Sequence, residues 1–167
     1  MFKKEIKELT LENFKIYGEF VDMLNPKGVK IGAGDIEFFR DMTQMTLGQS
    51  NAVSFSLCKL LKRDFIVETS EYHNYCGETV IPLDGDILMH VGPATHTSEF
   101  PAEDVEIFRV PKGTLVNLHP GVWHQAAFTY KCDLVNILVV LPERTYMTDC
   151  HYFELPEEKR IQIVGAE

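Results

Sequence analysis

The stretch Glu71-Tyr72-His73-Asn74-Tyr75-Cys76-Gly77-Glu78, followed by Gly85, decides how this chain is read. It is answered further along by Gly113 and the run His119-Pro120-Gly121-Val122-Trp123-His124. Side chains of an extended strand alternate between two faces, so Glu71 and His73 point the same way. His124 follows a Pro-Gly turn and opens a further strand. Two hairpins lying side by side would bring these carboxylates and imidazoles to one point, a donor set that suits a divalent first-row metal. The offset of five between His73 and Glu78 puts them on opposite faces of any continuous strand. Asn74 to Gly77 must therefore hold a turn or bulge, which Gly77 permits.

Each of these residues also has a plainer reading. His73 and Glu78 could be a hydrogen-bonded pair at a hairpin, but the full spacing with His124 favours metal ligands. Glu71 is a sound oxygen ligand, and equally an ordinary strand glutamate. His119 shares a strand face with Asn117 and Leu115, where it either touches substrate or steadies the turn before Pro120. Trp123 is out of phase with His124 and packs outside the barrel or in a dimer interface. His90 reads as a satisfied core histidine. The four cysteines, Cys58, Cys76, Cys132 and Cys150, read as small core residues.

The surrounding texture is β. Val53 to Cys58 alternates with period two, and Phe65 to Val67 is short and apolar. Thr79 to Leu83 runs into Asp84-Gly85-Asp86, a hairpin signal with Ile87 to Val91 as the returning strand. Val105 to Val110, Thr114 to Leu118, Trp123 to Tyr130, Leu134 to Leu141 and His151 to Leu155 complete the set. Many short strands between turn signals describe an all-β sandwich or barrel. Ahead of them, Thr10 with Glu12, Asn13 and Phe14 forms a helix start, and Phe14, Tyr17 and Val21 an apolar stripe. Residues 29 to 50 read as irregular, with room for short strands. The expected organisation over 1–167 is one domain: a helical or irregular amino-terminal arm (1–50), a barrel core (51–142) and a carboxy-terminal extension (143–167).

Composition narrows function. The chain has 167 residues, 45% hydrophobic and 25% charged, enough for one sizeable core. Its net charge of -9 repels phosphate backbones and anionic lipid, which argues against nucleic acid and membrane partners. An anionic substrate would need a local cation. No Cys-x-x-Cys pair, apolar leader or span-length apolar run occurs, so reduced thiols in the cytoplasm are the default. A Gly-x-Ser-x-Gly elbow and a phosphate loop are also missing. Gly32-Ala33-Gly34 begins a dinucleotide fingerprint, but Glu37 stands where its third glycine belongs.

The two segments resemble the paired motifs of the cupin superfamily. In the first, His73, Glu78 and Gly85 fall at matching positions, with Glu71 in place of a histidine and Phe65 in place of a glycine. In the second, Gly113, Gly121 and His124 match, with His119 in place of a proline and Phe128 in place of an asparagine. A closer resemblance is to the ureidoglycolate lyase family. It rests on Leu9-Thr10 with Asn13-Phe14 and Tyr17-Gly18, on Glu71, His73, Val80 and Pro82, and on Val116 through His124. The resemblance covers roughly residues 8 to 142. It implies a cupin-type barrel, a carbon-nitrogen lyase that splits ureidoglycolate into glyoxylate and urea, and a homodimer. The family carries Gln where this chain has Glu78, which restores the superfamily's metal-binding carboxylate.

On that basis His73, Glu78, His124 and Glu71 are the expected ligands of a divalent ion, with Zn, Mn, Fe, Ni and Co all suited to the donors. Glu71 or His119 is the expected proton carrier, and the substrate is small and polar or anionic. Two rival readings keep the same site: a cupin isomerase or epimerase acting on sugars or sugar phosphates, and a cupin that binds a small molecule without turning it over.

Overall fold

Period-two alternation becomes strand wherever one set of side chains can be buried. In the computed structural model, which describes residues 1–166, this produces fifteen strands. The first four are β1 (Phe2–Glu8), β2 (Gly18–Asp22), β3 (Lys30–Ile31) and β4 (Phe38–Phe39). Next come β5 (Val53–Leu61), β6 (Ile66–Val67), β7 (Thr69–Tyr72), β8 (Glu78–Pro82) and β9 (Ile87–Val91). The remainder are β10 (Glu106–Val110), β11 (Thr114–Leu118), β12 (Phe128–Thr129), β13 (Leu134–Pro142), β14 (His151–Glu154) and β15 (Ile161–Val164). Helix is confined to single turns, α1 (Leu11–Phe14) and α2 (Thr145–Thr148), and a 3-10 turn at Glu157–Lys159.

Two curled sheets face each other, as an all-β cupin-type barrel requires. One has the order β12-β9-β10-β1-β15-β6, the other β2-β11-β8-β13-β5. Ile87, Met89, Val91, Phe108 and Val110 from the first sheet meet Val80, Val116, Leu118, Val135 and Ile137 from the second in one buried cluster. The alternate residues of the first sheet, Leu88 and Ile107, point outward into a second apolar cluster with Trp123, Phe128, Leu155 and Ile161. Trp123 is fully buried there, edge-on to Tyr72 and Phe100, and its indole N–H donates to Thr95 Oγ1 at 3.1 Å. It packs outside the barrel, as its phase against His124 requires.

Three expectations change, the first being the strand read over Trp123 to Tyr130, of which only isolated bridges at Trp123 and His124 and the short β12 form. The turn at Asp84-Gly85-Asp86 is not a hairpin: β8 pairs with β11 and β13, whereas β9 pairs with β10 and β12 in the other sheet. The turn carries the chain from one sheet to the other because the inner faces of β8 and β9 bury against each other, a gain that pairing them edge to edge would forfeit. The ends of the chain are also less peripheral than arm and extension imply. β1 lies parallel to both β10 and β15 inside the larger sheet, and β2 flanks β11. The helix start at Thr10 is real. Its hydroxyl accepts from Asn13 N–H at 3.2 Å, and the Asn13 side chain accepts from Thr10 N–H at 2.9 Å. It lasts one turn. Gly18 then passes so close to β11 that a Cβ would sit 2.1 Å from the Asn117 carbonyl oxygen. No helix among the described residues is long and apolar enough to cross a membrane.

Candidate metal centre

Strand β7 and the segment after Gly121 are brought together by backbone. Glu71 N–H donates to the His124 carbonyl at 2.7 Å, and His124 N–H returns a bond to Glu71 at 2.8 Å. Pro120 and Gly121 make the turn that delivers His124. Gly121 has φ +81, the left-handed value that the third position of a type II turn demands. Gly121 N–H also donates to the His73 carbonyl at 2.6 Å. Glu78 opens β8 opposite Leu118 of β11. Between His73 and Glu78 the strand is interrupted, as the five-residue offset requires. Gly77 is needed there for closeness: a Cβ would lie 2.5 Å from the Leu118 carbonyl oxygen.

Glu71, His73, Glu78 and His124 each offer a donor atom, all within 4.8 Å of one another. His73 Nε2 lies 3.2 Å and His124 Nε2 3.3 Å from Glu78 Oε2. The opposite ring nitrogens are committed elsewhere, each Nδ1 lying 2.8 Å from a backbone carbonyl, Asp149 for His73 and Val122 for His124. A carbonyl oxygen only accepts, so each Nδ1 carries hydrogen and a neutral ring leaves a lone pair on Nε2. Two lone pairs and a carboxylate then face one another. That geometry calls for a cation among them, and two imidazoles oriented through their far nitrogens with two carboxylates fit a divalent metal.

Without a metal, the cation is a proton. Burial opposes charge on His124, but the Glu78 carboxylate, its hydrogen bond and the Glu71 charge outweigh burial and push the pKa up to about 9. Burial likewise works against ionised Glu78, and His124 with the two imidazole hydrogen bonds overrides it, holding the carboxyl at about 2. The pair is buried, with His124 4% exposed and the Glu78 side chain 11%. A metal must therefore displace the His124 proton.

A third segment, distant in sequence, braces the centre. Asp149 offers its carbonyl to His73, and its carboxylate accepts the backbone N–H groups of Asn74 and Tyr75 at 2.9 Å each. Cys150 donates its thiol to Glu71 Oε2 at 2.9 Å. Burial first, and then the Glu71 carboxylate, push that thiol up to about 12, so it stays protonated and can donate. His151 stacks on Tyr72 at 4.8 Å. Sequence reasoning gave Asp149 and His151 no role and read Cys150 as a small core residue, whereas it is only part-buried and its thiol serves Glu71. They lie more than seventy residues from the motif they support, and no local spacing marks them.

His119 is not brought to the centre. Its parity with Asn117 is as expected, but that face of β11 is the outer one. Asn117 turns away from the barrel to donate to the Gln44 carbonyl at 2.8 Å, while Val116 and Leu118 line the interior, and His119 is exposed. His90 is buried on the outward face of β9, with Nε2 3.1 Å from Ser70 Oγ. Its Nδ1 has no partner among the described residues. Burial, and then the charges of His124 and Arg63, bring its pKa down to about 3, so the ring is neutral.

A cavity of about 180 Å³ opens in front of the donors. Glu71, Glu78, His124 and Gln125 line one part, and Val80, Met89, Ala127, Ile137, Val139 and Leu141 much of the rest, with Cys58 and Ala126 beside them. No lysine or arginine reaches it. A larger recess of about 730 Å³ beside Lys62, Arg63 and Gln162 contains none of the four donors.

Fold and donors together define a cupin-type barrel with an imidazole-carboxylate centre that could hold a metal. The chain belongs to the ureidoglycolate lyase family, whose model matches residues 3–162. No curated protein gives a significant match. Among solved structures, it is similar to a dTDP sugar isomerase from Desulfovibrio desulfuricans G20, at 13% identity and a TM-score of 0.49, over 84% of this chain and 85% of that one. It is also similar to a mutant of the 3,4-ketoisomerase QdtA from Thermoanaerobacterium thermosaccharolyticum in complex with TDP-4-keto-6-deoxyglucose. There the identity is 13% and the TM-score 0.45, over 84% of this chain and 89% of that one.

Proposed function

We propose that this protein is a metal-assisted carbon-nitrogen lyase acting on an N-substituted 2-hydroxyglycine, the class to which ureidoglycolate belongs. Family membership supports the lyase chemistry. The observation that carries the metal-assisted reading is the convergence of His73 Nε2, His124 Nε2 and a Glu78 oxygen, with both Nδ1 atoms already committed to carbonyls. His73, Glu78 and His124 would hold a divalent ion of the Zn, Mn, Fe, Ni or Co group, with Glu71 at its edge. Such an ion supplies Lewis acidity and a counter-charge for an anionic substrate.

The reaction asks little more of the chain. The substrate hydroxyl must lose a proton and the departing nitrogen must gain one. Glu71 lines the cavity, and the Cys150 thiol holds one of its oxygens, which leaves the other to carry that proton. A cavity of about 180 Å³ favours a compact substrate over a sugar nucleotide. The enzyme works in the cytoplasm and as a homodimer on this reading. The exposed apolar strip of β5, Phe55, Leu57 and Leu61, on the open edge of its sheet, is the surface that a twofold partner would cover.

The test is glyoxylate and urea release from ureidoglycolate by protein loaded with each divalent metal in turn. Release should require the metal and should be lost in His124→Ala. Undiminished release after chelation, and in His124→Ala, would overturn the proposal.

A further inference from the structure

The cavity is polar at one end and hydrocarbon at the other, and strand register fixes which end is which. Glu78 and Val80 lie on the inner face of β8. Val139 of β13 pairs with Val80, and Ile137 pairs with Pro82, with Cys58 of β5 beside Ile137. The floor therefore runs from Glu78 toward Ile137 over four residues of strand, about 13 Å at the usual rise. Met89 closes over it from the opposite sheet.

A 2-hydroxyglycine held at the donors by its carboxylate and hydroxyl would lay its nitrogen substituent along this floor. In ureidoglycolate that substituent ends in an NH2 group with two hydrogens to satisfy. Val80, Val139 and Ile137 accept none, and the Met89 thioether accepts only weakly. The Cys58 sulfur is likewise a weak acceptor, and Gln125 Oε1, which accepts the Ala126 N–H at 2.7 Å, lies beside His124 at the polar end rather than along the floor. Burying an NH2 there forfeits its bonds to water. A methyl group of the same size loses nothing.

We propose that this cavity selects an N-acyl-2-hydroxyglycine, in which a short alkyl amide stands where ureidoglycolate carries its ureido group. This inference rests on the lyase reading for the chemistry and on the cavity alone for the ligand class. A cavity of about 180 Å³ suits a short acyl chain such as acetyl or propanoyl over a long one. The bond between carbinol carbon and amide nitrogen breaks. The hydroxyl proton leaves to Glu71, the nitrogen receives a proton, and the products are glyoxylate and a primary amide. Nothing is oxidised or reduced overall.

Two unreactive isosteres isolate the point: N-acetylglycine and N-carbamoylglycine differ only in CH3 against NH2. Calorimetric titration of each into Mn(II)-loaded protein should show the acetyl compound binding at least about tenfold tighter. Glyoxylate release should favour N-acetyl-2-hydroxyglycine over ureidoglycolate in kcat/KM by a similar factor. Val139→Thr, which keeps the shape and adds a hydroxyl, should narrow the preference several-fold. Equal or tighter binding of N-carbamoylglycine, or binding of neither compound, would overturn the inference. Tight N-acetylglycine binding with no glyoxylate from either substrate would support the ligand class and sink the lyase reading. Mn(II) titration without ligand separately tests the metal centre.

Discussion

Glu71 and His124 exchange both of their backbone hydrogen bonds, at 2.7 and 2.8 Å, although they belong to different motifs. This bridge locks the first motif's strand against the second motif's turn before any side chain is considered. The donors then converge because both backbones are fixed, which is the support that a preorganised metal centre requires.

Glu78 is where this chain departs from the glutamine that the family resemblance leads one to expect. Glu78→Gln removes the one charged oxygen that faces both imidazoles. Loss of an outer-sphere partner alone costs roughly 10–100-fold in metal affinity, and loss of a ligand charge should cost at least as much. Calorimetric titration with Mn(II) or Zn(II) measures it. Unchanged affinity would remove Glu78 from the ligand set.

The metal-free protein should have a stability plateau in mildly acidic solution. The His124 pKa rises from 6.5 to about 9, so its contribution is complete below pH 6.5 and is lost as pH rises through 9. The Glu78 pKa falls from 4.5 to about 2, so its contribution is complete above pH 4.5 and is lost as pH falls through 2. The two shifts describe one coupled pair and count once. Scanning calorimetry of chelated protein should show Tm highest between pH 4.5 and 6.5, with the alkaline decline absent in His124→Gln. A Tm that holds level from pH 6.5 to beyond 9 would contradict the pairing.

Asp149 is a positioning residue. Its carboxylate holds the Asn74 and Tyr75 N–H groups, and the same residue's carbonyl fixes the His73 ring. Asp149→Ala should destabilise by about 2 kcal/mol or more. For a chain of this size that is a fall of roughly 4–8 °C in Tm. Metal affinity should fall as well, because the carboxylate anchor that keeps the Asp149 carbonyl against the His73 ring is lost. Asp149→Asn keeps one acceptor oxygen and should recover part of both losses. A Tm loss with no change in metal affinity would confine Asp149 to stability.

β5 edges its sheet and exposes Phe55 (70%), Leu57 (65%) and Leu61 (61%). An antiparallel edge can pair with its own copy about a twofold axis, covering backbone and apolar surface together. Sedimentation should show a dimer for the native chain and a monomer for Phe55→Lys with Leu57→Lys. A native monomer at tens of micromolar would remove the dimer proposal.

The sequence made the strand pattern legible. Ile87–Val91 and Thr114–Leu118 are strands with the bounds that their flanking turns indicate, and the offset between His73 and Glu78 forces the break observed around Gly77. It could not assign partners. Asp84-Gly85-Asp86 has hairpin chemistry, yet it joins strands of different sheets, because turn propensity is local and sheet choice follows from which faces bury each other. His119 shows the same limit, its parity correct and its face the outer one.

By itself, then, the sequence determined the donors His73, Glu78 and His124, through residue type and spacing that act over a few residues. Only the tertiary structure decided that Glu71 joins them and His119 does not, and that Asp149 and Cys150 brace the centre. The Asp149 and Cys150 contacts span more than seventy residues and are set up by β14 pairing with β7, beside two sheets that close over one apolar interior. Burial of that interior is a property of the whole chain, and no short window of sequence encodes it.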